Sequence, residues 1–499
     1  MKKPTLITLA LFAVSVTSAS PRIDSNSIVD RHDMLILRDS DAVQSAVLTW
    51  PWPLGRSAFG ESKIEDFGLK QSNERLNAFY EQKSELGLQP TTVEVAFGTD
   101  RLPFRSFGYQ PREAFQTSVS SSWLGEWTAG NIQLSFVDDP SDGDEFRLDG
   151  SYLSVALGNW VATIDQVERW WGPGWDGSLI LSNNSRPIPA LSLTRISPDA
   201  FNSKFLKWIG PWTFTTFMGQ LDNDEGERPG SDALLFGMRI DFSPFGWDWL
   251  DIGLNRTAQW SGDGRPGDLD TFWRLLLGED NRVNGVTLEN EPGNQLAGVD
   301  YRLKLKGWNL AQYGQVVGED EETFLPDANM LLFGVEHWGE LQSLNASWRI
   351  YYEWADTRAG YLLADPDSGH RRNRAFNIAY NHGIYREGYR SKGRSIGHAM
   401  DGDGLMRSIG AFIVKDNGDL YGLKLRDYAI NRDGRGPSSV SIDPLDGNSI
   451  EFFGESDLPI FQSSNLRIRL GIHYIDESNR KTGETYNDFG GTLSLSKQL

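Results

Sequence analysis

The sequence predicts an all-β transmembrane β-barrel of about 18 to 20 antiparallel strands, preceded by a small N-terminal α-helical bundle. Three observations carry that prediction. Apolar and polar residues alternate with a period of two from about residue 91 almost to the C-terminus. Mostly short and mostly long connections alternate between those segments, and the first 19 residues have the form of an export signal. The composition of the 499-residue chain narrows the alternatives: it is 39% hydrophobic and 12% aromatic, with 18 Trp, no Cys and a formal net charge of −20. Past the signal no apolar run reaches the roughly 18 residues that a spanning helix needs, which excludes a helical membrane protein. So many aromatic residues give the chain ample surface to bury, which argues against disorder. The absence of cysteine excludes disulfide scaffolds, Cys-ligated zinc, iron–sulfur clusters and Cys nucleophiles, and the acidic balance argues against nucleic-acid binding.

In chain order, Lys2 and Lys3, the apolar segment Leu6 to Val16 and the small residues Thr17-Ser18-Ala19 form a signal peptide over 1–19. Export without cysteine suits the envelope of a Gram-negative bacterium. Residues 20–90 read as a periplasmic helical domain. Asp39-Ser40-Asp41 offers capping side chains ahead of a helix from Ala42 to Leu48, and Trp50-Pro51 stops it. In a second helix Ser72 is a cap, Leu76, Phe79, Tyr80 and Leu86 share a face, and Gly87 ends it.

Residues 91–499 form the barrel. Val299, Tyr301, Leu303 and Leu305 alternate with Asp300, Arg302, Lys304 and Lys306. The same pattern sets Leu466, Ile468, Leu470, Ile472 and Tyr474 against Arg467, Arg469 and His473. It recurs for Trp348, Ile350, Tyr352 and Trp354 against Arg349, Tyr351 and Glu353, and for Tyr421, Leu423 and Leu425 against Lys424 and Arg426. Aromatic residues flank the apolar faces, as in the girdles of a membrane barrel. Turns fall near 125–126, 158, 197–210, 244–249, 307–308, 340–341, 381–388, 417 and 455–463. The longer connections lie near 100–114, 138–144, 170–188, 222–232, 262–294, 320–329, 356–372, 399–404, 431–448 and 476–486. An even strand number returns the C-terminus to the periplasm beside the helices. The terminal Ser494-Leu495-Ser496-Lys497-Gln498-Leu499 departs from the aromatic ending of many such barrels.

The run Arg169-Trp170-Trp171-Gly172-Pro173-Gly174-Trp175-Asp176-Gly177, continued by Ser178 to Pro189, resembles the signature of the capsule assembly Wzi family. Tyr385-Arg386-Glu387-Gly388-Tyr389-Arg390, followed by Gly393-Arg394-Ser395-Ile396-Gly397-His398, is similar to the same family, and the likeness runs over nearly the whole mature chain. The resemblance implies an outer-membrane barrel of about 18 strands with a helical bundle at its periplasmic end. It also implies attachment of capsular or exported polysaccharide to the cell surface, by a lectin rather than a catalyst. It implies no individual sugar contacts.

The candidate polysaccharide-binding residues therefore rest on chemistry. Indole faces at Trp170, Trp171 and Trp175 can stack on sugar rings, while Asp176, Asn183, Asn184 and Arg186 offer hydrogen bonds to hydroxyls. The same loop can equally fold inward as a plug, and the two readings are compatible. A basic stretch of Arg371, Arg372, Arg374, Arg386, Arg390, Lys392 and Arg394 suits an acidic polysaccharide, or else pairs with lumenal carboxylates. In the 262–294 connection Asp268 or Asp270 caps a short helix ending at Gly278, expected to fold into the barrel mouth. Acidic runs at Asp138, Asp139, Asp142 and Asp144, at Asp222, Asp224, Glu225 and Glu227, and at 319–322 read as solvated loops or as sharers of divalent cations with lipopolysaccharide.

Asp401-Gly402-Asp403-Gly404 fails as a calcium loop, because Leu405 stands where an oxygen ligand belongs. Gly393-Arg394-Ser395-Ile396-Gly397 matches a nucleophile elbow but is followed by no helix, and the scattered histidines give no zinc spacing. The sequence thus predicts no catalytic residue, no metal and no cofactor. The expected partners are capsular or exopolysaccharide and outer-membrane lipids or lipopolysaccharide, bound by a monomeric barrel with its long loops extracellular. The alternative is a sugar- or anion-selective diffusion channel.

Overall fold

The structure, a computed structural model, describes residues 22–53, 67–99, 104–222, 230–276, 293–321, 326–361, 374–436, 438–461 and 464–499. The signal over 1–19 lies outside the described residues.

The wall is a closed antiparallel barrel of 18 strands. Its first third is β1 (Thr92–Gly98), β2 (Phe115–Leu124), β3 (Thr128–Asp138), β4 (Tyr152–Leu157), β5 (Trp160–Asp165) and β6 (Ala190–Arg195). Then come β7 (Trp212–Gln220), β8 (Leu234–Phe242), β9 (Leu250–Trp260), β10 (Gly293–Leu305), β11 (Leu310–Glu321) and β12 (Pro326–Leu341). The last six are β13 (Ala346–Tyr361), β14 (Leu405–Lys415), β15 (Leu420–Ile430), β16 (Leu445–Phe461), β17 (Ser464–Asn479) and β18 (Thr485–Gln498). β18 closes on β1 in the register Gln498↔Thr92 to Thr492↔Gly98. Every wall strand thereby finds partners on both edges, and no row of backbone groups is left open.

The alternation read from the sequence is the alternation of the wall. On β10, Val299 is half exposed on the outside while Asp300 and Arg302 are buried in the lumen. On β13, Ile350 and Tyr352 face out against buried Arg349, Tyr351 and Glu353; on β15, Tyr421 and Leu425 face out against Lys424 and Arg426. No helix among the described residues is long and apolar enough to cross a membrane.

Three expectations are corrected. The alternating segments near 373–380 and 389–398 are not wall strands: β13 pairs directly with β14, from Ala346↔Lys415 to Asp356↔Leu405, and residues 379–400 between them pack into the lumenal core. Among the described residues of this connection, only the short strand Arg374–Ala375 pairs with a wall strand in a β-ladder, with Gly360 and Ala359.

The first helix is α1 (Ile28–Asp39), with the Ser27 hydroxyl accepting from the Asp30 amide at its start. Asp39-Ser40-Asp41 therefore ends a helix rather than beginning one. The Ser40 amide and hydroxyl both donate to the Ile36 carbonyl, and Asp41 turns the chain away at φ 61°. α2 (Phe67–Ser84) contains Ser72 in its interior, where the hydroxyl donates to Asp33 rather than capping. Met34, Leu35 and Leu37 of α1 share one core cluster with Trp170, Trp171 and lumenal Tyr313. The α1 side chains Arg38 and Asp39 pair with Asp251 and Arg302 on the wall.

The third correction concerns α3 (Leu269–Leu276), capped by Asp268, which accepts from the Thr271 amide and hydroxyl. It does not fold into the mouth. Phe272 packs on Phe236 and Trp260, and the outward-facing Arg256 donates to the carbonyls of Leu275 and Leu276. Phe236 pairs across strands with Ala258, and Arg256 with Met238 and Ala297, in the outward parity of half-exposed Leu254 and Val299. An apolar loop beside an apolar outer wall is buried there as well as inside. Its continuation, including Gly278, lies outside the described residues.

Candidate functional site

Two connections that would otherwise cap the barrel fold into its lumen and lock together. The first joins β5 to β6. Trp170 and Trp171 pair antiparallel with Trp50 and Thr49, and all four side chains are buried. The turn that follows wraps a carboxylate: Glu353 accepts from the amides of Trp175 at 2.8 Å and Gly177 at 2.7 Å, and from the Tyr313 hydroxyl at 3.0 Å. The glycines of this turn are required by close approach. A Cβ on Gly174 would meet the Gly177 carbonyl at 2.1 Å, and one on Gly177 would meet the His398 ring at 2.1 Å. Proline between glycines stiffens the turn, lowering the entropy lost when it is held.

Each predicted contact residue of this loop has a structural partner. The Trp175 ring stacks on Tyr351, its indole N–H donates to Glu336 at 2.8 Å, and the Arg31 guanidinium lies 4.2 Å from its centroid. Arg31 also donates to the Pro173 and Gly174 carbonyls. Asp176 is held bidentately by Arg426, which reaches on to Glu451 at 2.9 Å. Burial alone would raise the Asp176 carboxyl, but the Arg426 charge and hydrogen bonds override it and hold it at about 2. Asn183 exchanges hydrogen bonds with Ser25, and Asn184 donates to the Ser395 carbonyl. Arg186 is ringed by Asp142, Asp144 and Asp149 at 2.7–2.9 Å. Trp170, Trp171 and Trp175 are buried and form part of the plug.

The second connection, between β13 and β14, lies over the first. The hydroxyls of Tyr380 and Tyr389 donate to the Leu179 and Ile180 carbonyls, and their rings stack at 5.9 Å. Arg390–Ser391 and Arg394–Ser395 form a small hairpin, and Arg390 is bidentate to Asp401 at 2.7 and 2.8 Å. Ser395 is fully buried in that hairpin, which denies a substrate the access a nucleophile elbow needs. Burial depresses the His398 imidazole to about 4, keeping it neutral against Gly177.

The basic stretch is therefore divided. Arg371 and Arg372 lie outside the described residues, and Arg374 belongs to the short strand on β13. Arg390 is consumed by Asp401, and Lys392 bridges Asp144 at 2.8 Å and Asp222 at 2.5 Å. Arg394, half-buried, donates to Asn184. Arg386 is exposed and holds no hydrogen bond or ion pair among the described residues. Of the acidic runs, Asp142, Asp144 and Asp222 are paired with Arg147, Arg186 and Lys392, while Asp224, Glu225 and Glu227 lie outside the described residues. Among the described residues no group of His, Cys, Asp or Glu is placed to hold a metal.

The anchors were not singled out from the sequence. Glu336, Glu353, Arg426 and Arg31 carry the plug, and the first three are lumenal residues of alternating strands. The available signal was charge at positions whose neighbours face the membrane, since a charge enclosed by a filled lumen needs a partner.

The sequence model of the capsule assembly protein Wzi family matches residues 88–488. An uncharacterised 55.8 kDa protein of the cps region of Klebsiella pneumoniae is 29% identical over 497 residues, covering 95% of this chain and 89% of that one. Among solved structures, Escherichia coli Wzi superposes with a TM-score of 0.80 at 25% identity, covering 96% of this chain and 100% of that one. That protein is described as a carbohydrate-binding outer-membrane β-barrel involved in group 1 capsule assembly.

Proposed function

Because this chain belongs to the capsule assembly protein Wzi family, we propose that it is an outer-membrane lectin that binds capsular or exported polysaccharide and helps attach and organise the capsule at the cell surface. The helices face the periplasm and the long connections face outward. The observation that supports binding over transport is the interlocked plug: the turn at Trp175–Gly177 is held by Glu353 of the wall, and the hydroxyls of Tyr380 and Tyr389 donate to the Leu179 and Ile180 carbonyls that follow it. A barrel filled in this way does its work at its surfaces. On the outward face Arg386 supplies a free guanidinium, with half-buried Arg394 near it in sequence, for carboxylates of an acidic glycan. Trp170, Trp171, Trp175, Asp176, Asn183, Asn184, Arg186 and Arg390 act behind that face by fixing its shape.

The test is a clean deletion strain. Loss of cell-bound capsule with polysaccharide shed into the medium, restored by the full-length chain, is the expected result. Unchanged capsule retention refutes the reading.

A further inference from the structure

Most of the lumenal surface is charged, but one sector is not. On the inner faces of β2 and β3 the cross-strand pairs are Ser118↔Ser135, Ser120↔Gln133 and Ser122↔Asn131. On β1 and β18 the neighbouring inward positions add Thr92, Ala96, Ser494 and Ser496, with Glu94 as the charged exception. Small neutral side chains leave room. Between this sector and the helices lies a cavity of about 510 Å³, bordered by Phe79 and Gln82 of α2, by Asp30 of α1 and by the short turn at Asn417 and Gly418. A further cavity of about 160 Å³ shares Arg22, Asp24, Asn131 and Gln133 with it and continues toward Arg112 and Arg147. The space follows the neutral wall from the helix end toward the middle of the barrel.

The chemistry of this trough selects its occupant. Among the described residues the Ser120 and Ser122 hydroxyls and the Gln133 side-chain amide hold no hydrogen bond. The arginines that border it are already matched: Arg22 with Asp24, Arg75 with Asp33, Arg467 with Asp457 and Arg469 with Glu455. Arg22 also covers the Tyr152 ring at 3.6 Å. Of the cations that border it only Lys83 of α2 is without an ion pair among the described residues, so an anionic ligand reaching past Lys83 would have to break one of those pairs, whereas a neutral ligand dense in hydroxyls needs only the free hydroxyls and amides. The volume falls within the roughly 300–1,000 Å³ of small-molecule sites.

We propose that the trough along β2 and β3, entered from the helix end, binds a short neutral saccharide of two or three hexose units. This goes beyond the surface reading above. It concerns the opposite end of the barrel, and neither site requires the other.

The cysteine-free chain makes the test direct. Single variants Ser120→Cys, lumenal, and Val119→Cys, outward, are made in the full-length protein and treated with a small thiol reagent. The probes are maltotriose, cellotriose, mannotriose and galactotriose. At least one is expected to slow modification of Ser120→Cys about tenfold at saturation and to leave Val119→Cys unaffected. Calorimetry with that sugar is expected to lose its signal in Ser122→Trp, which fills the trough. In Gln133→Ala it should weaken by roughly 3- to 10-fold, the worth of one hydrogen bond. Retention of immobilised capsular polysaccharide stays intact in both variants. An unreactive Ser120→Cys, protection by none of the four sugars, or full affinity in both Ser122→Trp and Gln133→Ala overturns the proposal. Loss of capsular polysaccharide binding with the trough signal intact refutes the surface reading alone.

Discussion

Replacing Arg426 by Met removes the charge on which two buried carboxylates converge. In the native protein Arg426 donates two short hydrogen bonds to Asp176 and one to Glu451, and all three side chains are nearly inaccessible. Methionine fills most of the volume but leaves the carboxylates facing each other without the guanidinium. Breaking a buried pair this way costs about 3–5 kcal/mol, so the fraction of molecules with the plug displaced rises roughly a hundred- to a few-thousand-fold. The pH dependence identifies the cause. In the native protein the Asp176 carboxyl sits at about 2, below its ordinary 3.8. Its pairing therefore stabilises the plug at every pH above 3.8, by about 2 kcal/mol, and the contribution is lost as pH falls through 2. Without Arg426 burial dominates and raises the same carboxyl, although Lys424 remains as a nearby cation. The variant then regains stability as the pH falls and Asp176 protonates, so the gap between variant and native protein narrows from pH 7 to pH 4. The assay is hydrogen exchange of the Trp175 and Gly177 amides in detergent, corrected for the intrinsic pH dependence of exchange, with strand content followed by circular dichroism to show the wall intact. An exchange rate equal to the native one, or a gap that stays constant with pH, refutes the assignment of Asp176–Arg426 as a plug anchor.

The purified protein should show no steady open conductance in planar bilayers, whereas Trp175→Ala should flicker. That substitution removes a buried ring worth about 3–5 kcal/mol and the indole donor to Glu336; a steady native pore would favour the diffusion-channel reading. Gly177→Ala should displace His398, read as a His398 titration moved up from about 4 toward the ordinary histidine value in NMR; an unmoved titration would show the turn has slack that the 2.1 Å approach denies. Arg386→Glu should weaken binding of acidic capsular polysaccharide in a salt-dependent way while changing stability by no more than about 0.5 kcal/mol, since the side chain is exposed and free among the described residues. Unchanged binding across salt concentrations would remove Arg386 from the glycan face.

The barrel was legible because its physics is local. A strand between membrane and lumen repeats its environment every second residue, and Val299 to Leu305 or Leu466 to Tyr474 display that repeat without any knowledge of neighbours. The same locality explains the failure near 373–398. The pieces at 390–391 and 394–395 are extended as wall strands are, yet they pair with each other inside the lumen. Local alternation records two unlike sides without saying which two. The caps at 39–41 were misread for a related reason: Ser and Asp satisfy backbone groups at either end of a helix, and only the buried run of α1 before them decides which.

What no local pattern contains is the partner of a lumenal charge. Arg31 meets Gly174 across 143 residues, Trp175 meets Glu353 across 178, and Asp176 meets Arg426 across 250. The composition of the Trp-rich motif is the same whether its rings await a sugar or a core, because indoles and amides serve both. The burial that distinguishes them comes from α1 on one side and β13 and β15 on the other. The neutral sector on β2 and β3 inverts the lesson. Its serines and amides lie in plain alternation in Gln116 to Ser122 and Asn131 to Ser135, but their meaning depends on a contrast with the charged remainder of the lumen. It depends equally on space that the helices and plug leave unfilled. A residue with no partner acquires a functional reading only after its neighbours have been shown to have theirs.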